Sequence, residues 1–393
     1  MKMPSEKCKF RAGEYIFREG DKGDVAYILE EGVVEIIATI DGTPTFLNVL
    51  TPGDIFGELA LIDDSPRSAS ALAKTDVLLT VISKAQVKAR IEQAHPILQL
   101  LLTVIMKHFR SETAKIRGKK AEDFPCQFYQ EKLHNSIELI RLESELYQGF
   151  KNNELLLFYQ PIIELKTQFL AGFEVLLRWL SPKRGYVSPE VFAPLAEASP
   201  LIISIGEWVL DESIKTLQHF QKCVNRDLFL SINVAEKQIK CRDFLEIIRD
   251  KILSNFKDKI PLKLEILERS LFEGSEAMSF IEFCREHAIP LVLDDFGTGY
   301  ANLSYLKKFQ FDTVKIDKCF IENLENNRKD QIICKTLIEL SHGLGMTTVA
   351  EGIENQKQLE ILKGLGCDYG QGYFLSPPLP REQATKMLQK YHV

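Results

Sequence analysis

The period of the apolar positions changes twice along the chain, and the changes mark three stretches. From residue 7 to about 83, short β-forming runs alternate with turn residues. "YIFREGDKGDVAYILEEGVVEII" is punctuated by Gly20, Gly23 and Gly32, and "TFLNVLTPGD" and "DVLLTVIS" keep the rhythm. Strands this close, with no helix between them, predict an antiparallel β-roll. From 84 to about 110 the spacing becomes helical, with Leu98, Leu101, Leu102, Ile105 and Phe109 three or four residues apart. Leu100, Val104 and Met106 spread the apolar surface beyond one packing face. Such a helix is either well buried in its own domain or shared between that domain and a second subunit. The polar segment "SETAKIRGKKAED" follows. Leu133, Ile137, Ile140 and Leu146 then lie near one face of another amphipathic stretch, which reads as a connector.

From about 150 onward, strand and helix patterns alternate. The strand-like runs are "LLLFYQ" (155–160), "FLAGFEVLL" (169–177), "LFLSIN" (228–233), "LKLEIL" (262–267), "PLVLDD" (290–295), "DTVKID" (312–317), "MTTVAE" (346–351) and "DYGQGYF" (368–374). Amphipathic stretches such as 205–222, 276–288 and 329–343 separate most of them. This count is that of a (β/α)8 barrel. Only "PIIELKTQ" joins the first two runs, too short for a parallel crossover. The first pair is therefore antiparallel and the TIM-like barrel irregular. Strand two is taken as the reversed one, which sets Glu174 apart from the other strand-end groups. The expected organisation is a β-roll with flanking helices at 1–110, a helical linker at 111–149 and the barrel at 150–393.

A length of 393 residues suits two or three domains, and 45% hydrophobic with 26% charged residues suits a soluble globular protein. No apolar run approaches the ~18–20 residues of a spanning helix. The start, "MKMPSEKCKFRAGEY", has no apolar signal core, so a cytoplasmic location away from membranes is expected. Charge is nearly balanced, 49 basic against 55 acidic residues, and the basic run "KIRGKK" is too short for a nucleic-acid footprint. The eight cysteines contain no C-x-x-C pair and the seven histidines no H-x-x-x-H pair. Any metal would have to be held by oxygen.

Polar groups end nearly every barrel run: Gln160, Glu174, Asn233, Glu265, Asp294 with Asp295, Asp317, Glu351 and Gln371. In a parallel barrel these ends share the face where catalytic groups gather. Glu174, Glu265, Asp294, Asp295, Asp317 and the Asn233 carbonyl would then point into one cup, which is electrostatically costly without cations. Two hard divalent ions, Mg2+ or Mn2+, would neutralise it. Neighbouring strand residues normally face opposite ways, but a turn at the strand end frees the second aspartate, so Asp294 and Asp295 could serve separate ions ~3.5–4 Å apart. Gly297 and Gly299 permit the tight loop that follows. Lys315, on the strand face of Asp317, would place a cation beside phosphate or nucleophilic water.

These residues stand in motifs that closely resemble the EAL family of cyclic di-GMP phosphodiesterases over about 136–393. They are "YQPI" from Tyr159, "EVLLRW" from Glu174, "NVAEKQ" from Asn233, "EILE" from Glu265, "DDFGTGYANL" from Asp294, "DTVKID" to Asp317, "AEGIE" around Glu351 and "QGYFLSPPLP" from Gln371. The resemblance implies that Glu174, Asn233, Glu265, Asp294, Asp295 and Asp317 hold two Mg2+ or Mn2+ ions. Lys315 and Glu351 would orient or activate water, Gln160, Arg178 and Gln371 would contact substrate, and Glu268 would steady the loop after Asp295. The implied reaction opens cyclic di-GMP to linear pGpG. Val175 replaces the signature alanine, Leu267 a threonine and Ala235 a serine, while Pro377 stands where lysine or arginine is common and removes a contact to purine or phosphate.

"FGELALIDDSPRSASALA" (56–73) is similar to the phosphate cassette of cyclic-nucleotide-binding domains of the CAP and protein-kinase regulatory type. The resemblance implies a pocket at Gly57, Glu58, Leu59, Ala60, Arg67, Ser68 and Ala69. Backbone amides and Arg67 would face the cyclic phosphate and Glu58 the ribose. Ser68 leans the reading toward cAMP and leaves cGMP open. The expectation is a cyclic-mononucleotide-regulated cyclic di-GMP phosphodiesterase, a homodimer through the 84–110 helix or the barrel. The alternative is a catalytically silent receptor for both nucleotides that signals to a partner protein. No helix-turn-helix follows the sensor, which argues against a transcription regulator.

Overall fold

The computed structural model describes residues 7–40, 42–63, 66–85, 126–224, 226–257, 259–271, 274–297 and 309–390, with 87, 91, 98, 100–102, 104–106, 108 and 109 between them. It divides into two compact units, Met1–Leu142 and Glu143–Val393. The division falls within the helix Cys126–Lys151. Among the described residues no helix is long and apolar enough to cross a membrane.

The first unit is built on eight strands: β1 (Lys7–Phe10), β2 (Tyr15–Phe17), β3 (Val25–Glu31), β4 (Val34–Ile40), β5 (Thr43–Leu50), β6 (Ile55–Phe56), β7 (Ser70–Ala73) and β8 (Val77–Ser83). They form two four-stranded antiparallel sheets, β1-β8-β3-β6 and β2-β7-β4-β5. Alternating residues of both sheets, including Leu29, Val34, Phe56, Ala71 and Leu79, meet in one core. Gly32 makes the β3–β4 turn at φ +92°, where a Cβ would lie 2.3 Å from the Asp76 carbonyl, so only glycine fits. The antiparallel roll read from the sequence is thus observed. Much of the helix predicted at 84–110, and all of 111–125, lies outside the described residues. Where described, Leu98, Leu101, Ile105 and Phe109 are exposed and Met106 is buried, so burial within the single chain does not account for this apolar surface.

The second unit is a closed barrel. Its staves are β9 (Leu155–Glu164), β10 (Leu170–Ser181), β12 (Phe229–Asn233), β13 (Leu262–Leu267), β14 (Leu291–Phe296), β15 (Thr313–Ile316), β16 (Thr347–Ala350) and β17 (Tyr369–Gly370). Two short strands, β11 (Gly185–Val187) on β10 and β18 (Leu379–Pro380) on β9, extend it. All staves but one run parallel. The exception corrects the expected topology: β9, not β10, is reversed. β9 is antiparallel to both β10 and β17, while β10 pairs in parallel with β12. A short connection requires its two strands to oppose each other, but pairing with the rest of the sheet decides which is the odd one.

Outward residues of the strands pack under the helices in a cluster that includes Phe173, Val175, Leu230, Leu264 and Leu293, with Leu217 and Phe220 of the helix Leu201–Cys223 against them. Inward residues follow the register Gln160–Glu174–Ser231–Lys263 across four adjacent staves. Glu174, Glu265 and Asp294 therefore face the barrel interior, on the side opposite Val175 and Leu293.

Candidate functional site

The interior groups converge on one buried cation. Lys315 is 1% exposed. Its Nζ lies 3.1 Å from Glu174, 2.8 Å from Glu265, 3.5 Å from Asp294 and 2.6 Å from Glu351. Burial alone would lower the lysine pKa, but the surrounding carboxylates outweigh it and hold the pKa well above its ordinary value. Burial also raises Glu174, yet the Lys315 charge and hydrogen bonds from Gln371 and Asn233 reverse that, leaving Glu174 below the usual range. Glu265 and Glu351 go the other way. Burial, reinforced by neighbouring acids and only partly opposed by Lys315, pushes each up to about 8.

Asp294 and Asp295 resolve their geometric conflict through the backbone. The β14–β15 register shifts between Leu293 and Phe296, and Asp295 adopts a left-handed φ of +57°. Aspartate is among the few side chains that tolerate this region, and the conformation turns two consecutive carboxylates toward one side. Ligand oxygens of Asp294, Asp295 and Glu351 lie within 4.8 Å of one another. Burial, then Asp294 and Asp317, raise the Asp295 pKa. Asp317 also turns one oxygen onto the Cys319 amide, 2.9 Å away, capping a short 3-10 turn.

The amides support these acids. Asn233 Nδ2 donates to Glu174 at 2.8 Å. Gln371 Nε2 donates to Glu174 at 2.6 Å and to the Gln160 oxygen at 2.9 Å. Glu268 accepts from the Gly297 amide at 3.1 Å, and residues 298–308, which follow, lie outside the described residues. Arg178 stands apart, donating to the Leu177 carbonyl at 2.8 Å. The sequence named these acids and amides, but not the role of Lys315 as counter-charge or of Gln371, itself held by Gln160, as a clamp on Glu174. Both rest on contacts between residues far apart in the chain.

The donor set fits hard divalent cations. It is oxygen-only and carries more acid than Lys315 neutralises, and the raised Glu265 and Glu351 reflect an excess of negative charge that a bound ion would offset. Among the described residues the buried Gln371 Oε1 and Glu268 Oε1 have no hydrogen-bond partner, leaving acceptors in reserve. Val175 faces away from these groups and lines a cavity of about 270 Å3 between strands and helices. Val175→Ala should therefore cost about 1–3 kcal/mol of stability, as checked by urea unfolding.

In the first unit, Gly57, Glu58, Leu59, Ala60, Arg67, Ser68 and Ala69 all line a cavity of about 460 Å3. Arg67 is buried, stacked 4.2 Å from the Phe17 ring, and donates to the Gly57 and Val25 carbonyls at 2.6 and 2.5 Å. Its Nε is buried with no partner among the described residues, an unspent donor beside the cavity. Gly57 has φ +76°, and a Cβ there would come 2.5 Å from Arg67 Nη1, so the turn and the arginine fit only with glycine.

Residues 143–378 match the EAL domain model and residues 7–94 the cyclic nucleotide-binding domain model. The EAL enzyme Bd1971 in its cAMP-bound form is 34% identical, with a TM-score of 0.72 over 98% of this chain and 100% of that one. Its form with cAMP and cyclic di-GMP bound gives a TM-score of 0.73 at the same identity. The bifunctional diguanylate cyclase/cyclic di-GMP phosphodiesterase MucR of Pseudomonas aeruginosa is 33% identical over 66% of this chain and 38% of its own length. The cyclic di-GMP phosphodiesterase NbdA of the same organism is 30% identical over 67% of this chain and 34% of its own length. The chain thus spans less than two fifths of these two curated relatives but the whole of the solved Bd1971 chain. With its barrel matched from end to end and a nucleotide-binding roll preceding it, the chain belongs to the EAL domain family.

Proposed function

We propose that this chain hydrolyses cyclic di-GMP to linear pGpG, under the control of a cyclic mononucleotide, cAMP in preference to cGMP, bound by the N-terminal roll. The observation that carries the reading is the convergence of Asp294, Asp295 and Glu351 oxygens within 4.8 Å beside Lys315. The enzymes Bd1971, MucR and NbdA support it through their named ligands and activity. Glu174, Asn233, Glu265, Asp294, Asp295 and Asp317 would hold two Mg2+ or Mn2+ ions. Bound there, the ions would acidify the attacking water and stabilise charge on the departing 3′-oxygen. The water oxygen joins phosphorus as the P–O3′ bond breaks. Of the four carboxylates around Lys315, that of Glu351 is the most solvent-facing, at 20% exposure, and would take the water proton. Lys315 fixes Glu351 and Asp294 relative to each other, while Gln160, Arg178 and Gln371 would contact the substrate. A homodimer belongs to the same proposal, supported by the exposed Leu98, Leu101, Ile105 and Phe109.

Incubating the purified chain with cyclic di-GMP and Mg2+ or Mn2+, with and without cAMP, should yield pGpG at a rate that depends on cAMP. Tight binding of both nucleotides without pGpG in any condition would instead identify a receptor. Arg67→Ala should weaken cAMP binding about 30- to 150-fold, the ~2–3 kcal/mol of a charge-assisted phosphate contact. The same variant should abolish the cAMP effect on rate at concentrations that saturate the unaltered protein. Calorimetric titration checks the affinity, and unchanged affinity would refute the Arg67 pocket.

A further inference from the structure

The inward faces of the barrel strands continue past the acidic cluster to a second opening at the amino ends of the parallel staves. There Glu164, Phe229, Lys263, Pro290 and Tyr369 line a cavity of about 580 Å3, larger than the roll pocket of about 460 Å3. Lys263 Nζ donates to the Thr313 hydroxyl at 3.1 Å and lies 4.1 Å from the centre of the Phe229 ring and 5.8 Å from that of Tyr369. The two rings meet edge to face at 6.3 Å. Lys263 makes no ion pair among the described residues. An ammonium carries three donors; Thr313 takes one, and ring faces attract the charge without neutralising it. At the rim Arg226 lies 4.0 Å over the Phe169 ring, and Lys259 pairs with Asp227 at 2.7 Å. The lining therefore carries three cations, Arg226, Lys259 and Lys263, against two acids, Glu164 and Asp227.

We infer that this lower cavity binds a small anion bearing a flat ring, of the size and chemistry of a nucleoside monophosphate, with the phosphate at Lys263 and the base at the Phe169–Arg226 rim. Barrel chemistry gathers at the carboxyl ends of strands, so this opposite mouth is a binding site and takes no part in hydrolysis. The inference stands independently of the reaction assigned to the acidic cluster.

GMP titrated calorimetrically into the full chain in EDTA tests it. A GMP-binding component is expected that Lys263→Met weakens about tenfold or more and Arg226→Ala about threefold or more. The component should persist in Arg67→Ala and Asp295→Asn, which separates it from the roll pocket and the acidic site. Inorganic phosphate should bind at least about tenfold more weakly than GMP, since it lacks the ring. Absence of GMP binding at millimolar concentration would overturn the inference. So would a component unchanged by both lower-cavity variants, or equal affinity for phosphate and GMP. Arg226 is exposed at the rim, so its variant keeps the test decisive even if Lys263→Met fails to fold.

Discussion

Asp295→Asn is expected to lower pGpG formation by at least about 10³-fold, or ~4 kcal/mol of transition-state stabilisation, while leaving the fold intact. Asparagine keeps the size of the side chain and, like aspartate, tolerates the left-handed backbone that Asp295 adopts at φ +57°. What disappears is one anionic oxygen ligand from the group formed with Asp294 and Glu351. The sign of the stability change follows from the raised Asp295 pKa, caused by burial and then by Asp294 and Asp317. A carboxyl whose folded-state pKa lies above its unfolded value costs stability at pH values above the unfolded pKa. The neutral amide removes that cost, so the metal-free variant should melt at or above the temperature of the unaltered protein at neutral pH. Asp295→Ala is the control: it loses the same charge but also places alanine at a positive φ, and should melt lower than Asp295→Asn. Initial rates with Mn2+ and thermal melts in EDTA decide the matter. Rates within tenfold of the parent would remove Asp295 from the metal site.

Much of this arrangement is legible in the primary chain because barrel strands write a simple code. An apolar run buried on both faces carries a polar group at or near the end where the strand meets the site: Asn233 closes its strand, Glu351 follows its own, and Glu265 and Asp294 stand two residues before the ends of theirs. The adjacent aspartates followed by glycine also announce an irregular strand end, which the structure realises as a register shift and the positive φ of Asp295. Topology is less legible. The eight-residue link between the first two runs requires that they oppose each other, yet only the parallel pairing of Gly172–Val175 with Phe229–Ile232 shows that β9 is the reversed stave. The reversed direction also explains why Gln160 sits inside β9 instead of at its end: β9 continues to Glu164 to pair with Tyr369 and close the barrel. Short closing strands such as Leu379–Pro380 carry too few residues to show any period. Least legible are contacts that join distant positions. Gln371 meets Gln160 across 211 residues and Lys315 meets Glu174 across 141, so no local pattern reports them.

The Lys315 contacts lead to the second large effect. Lys315→Met should destabilise the metal-free protein by ~3–5 kcal/mol, because it removes one partner of a buried ionic cluster and leaves Glu174, Glu265, Asp294 and Glu351 without their common cation. Methionine fills nearly the same length of buried space, so a packing void contributes little. Protonation provides partial relief, as Glu265 and Glu351 are already pushed up to about 8 with the lysine present. Glu174 is the group most exposed to the loss, since the lysine is the foremost influence holding its pKa down. Divalent ions held by these oxygens would stabilise the folded chain by mass action. With one fewer positive charge competing for the same oxygens, Mn2+ should raise the melting temperature of Lys315→Met more than that of the parent. Turnover should nevertheless remain at least about 10²-fold low, ~2.7 kcal/mol, because added ions do not restore the buried amine that aligns Glu351 with Asp294. Three measurements thus move in different directions: stability falls in EDTA, the Mn2+-induced rise in melting temperature grows, and the rate stays low. A variant that melts with the parent in EDTA would show that the carboxylates do not depend on Lys315, and the charge balance assigned to the barrel interior would fall with it.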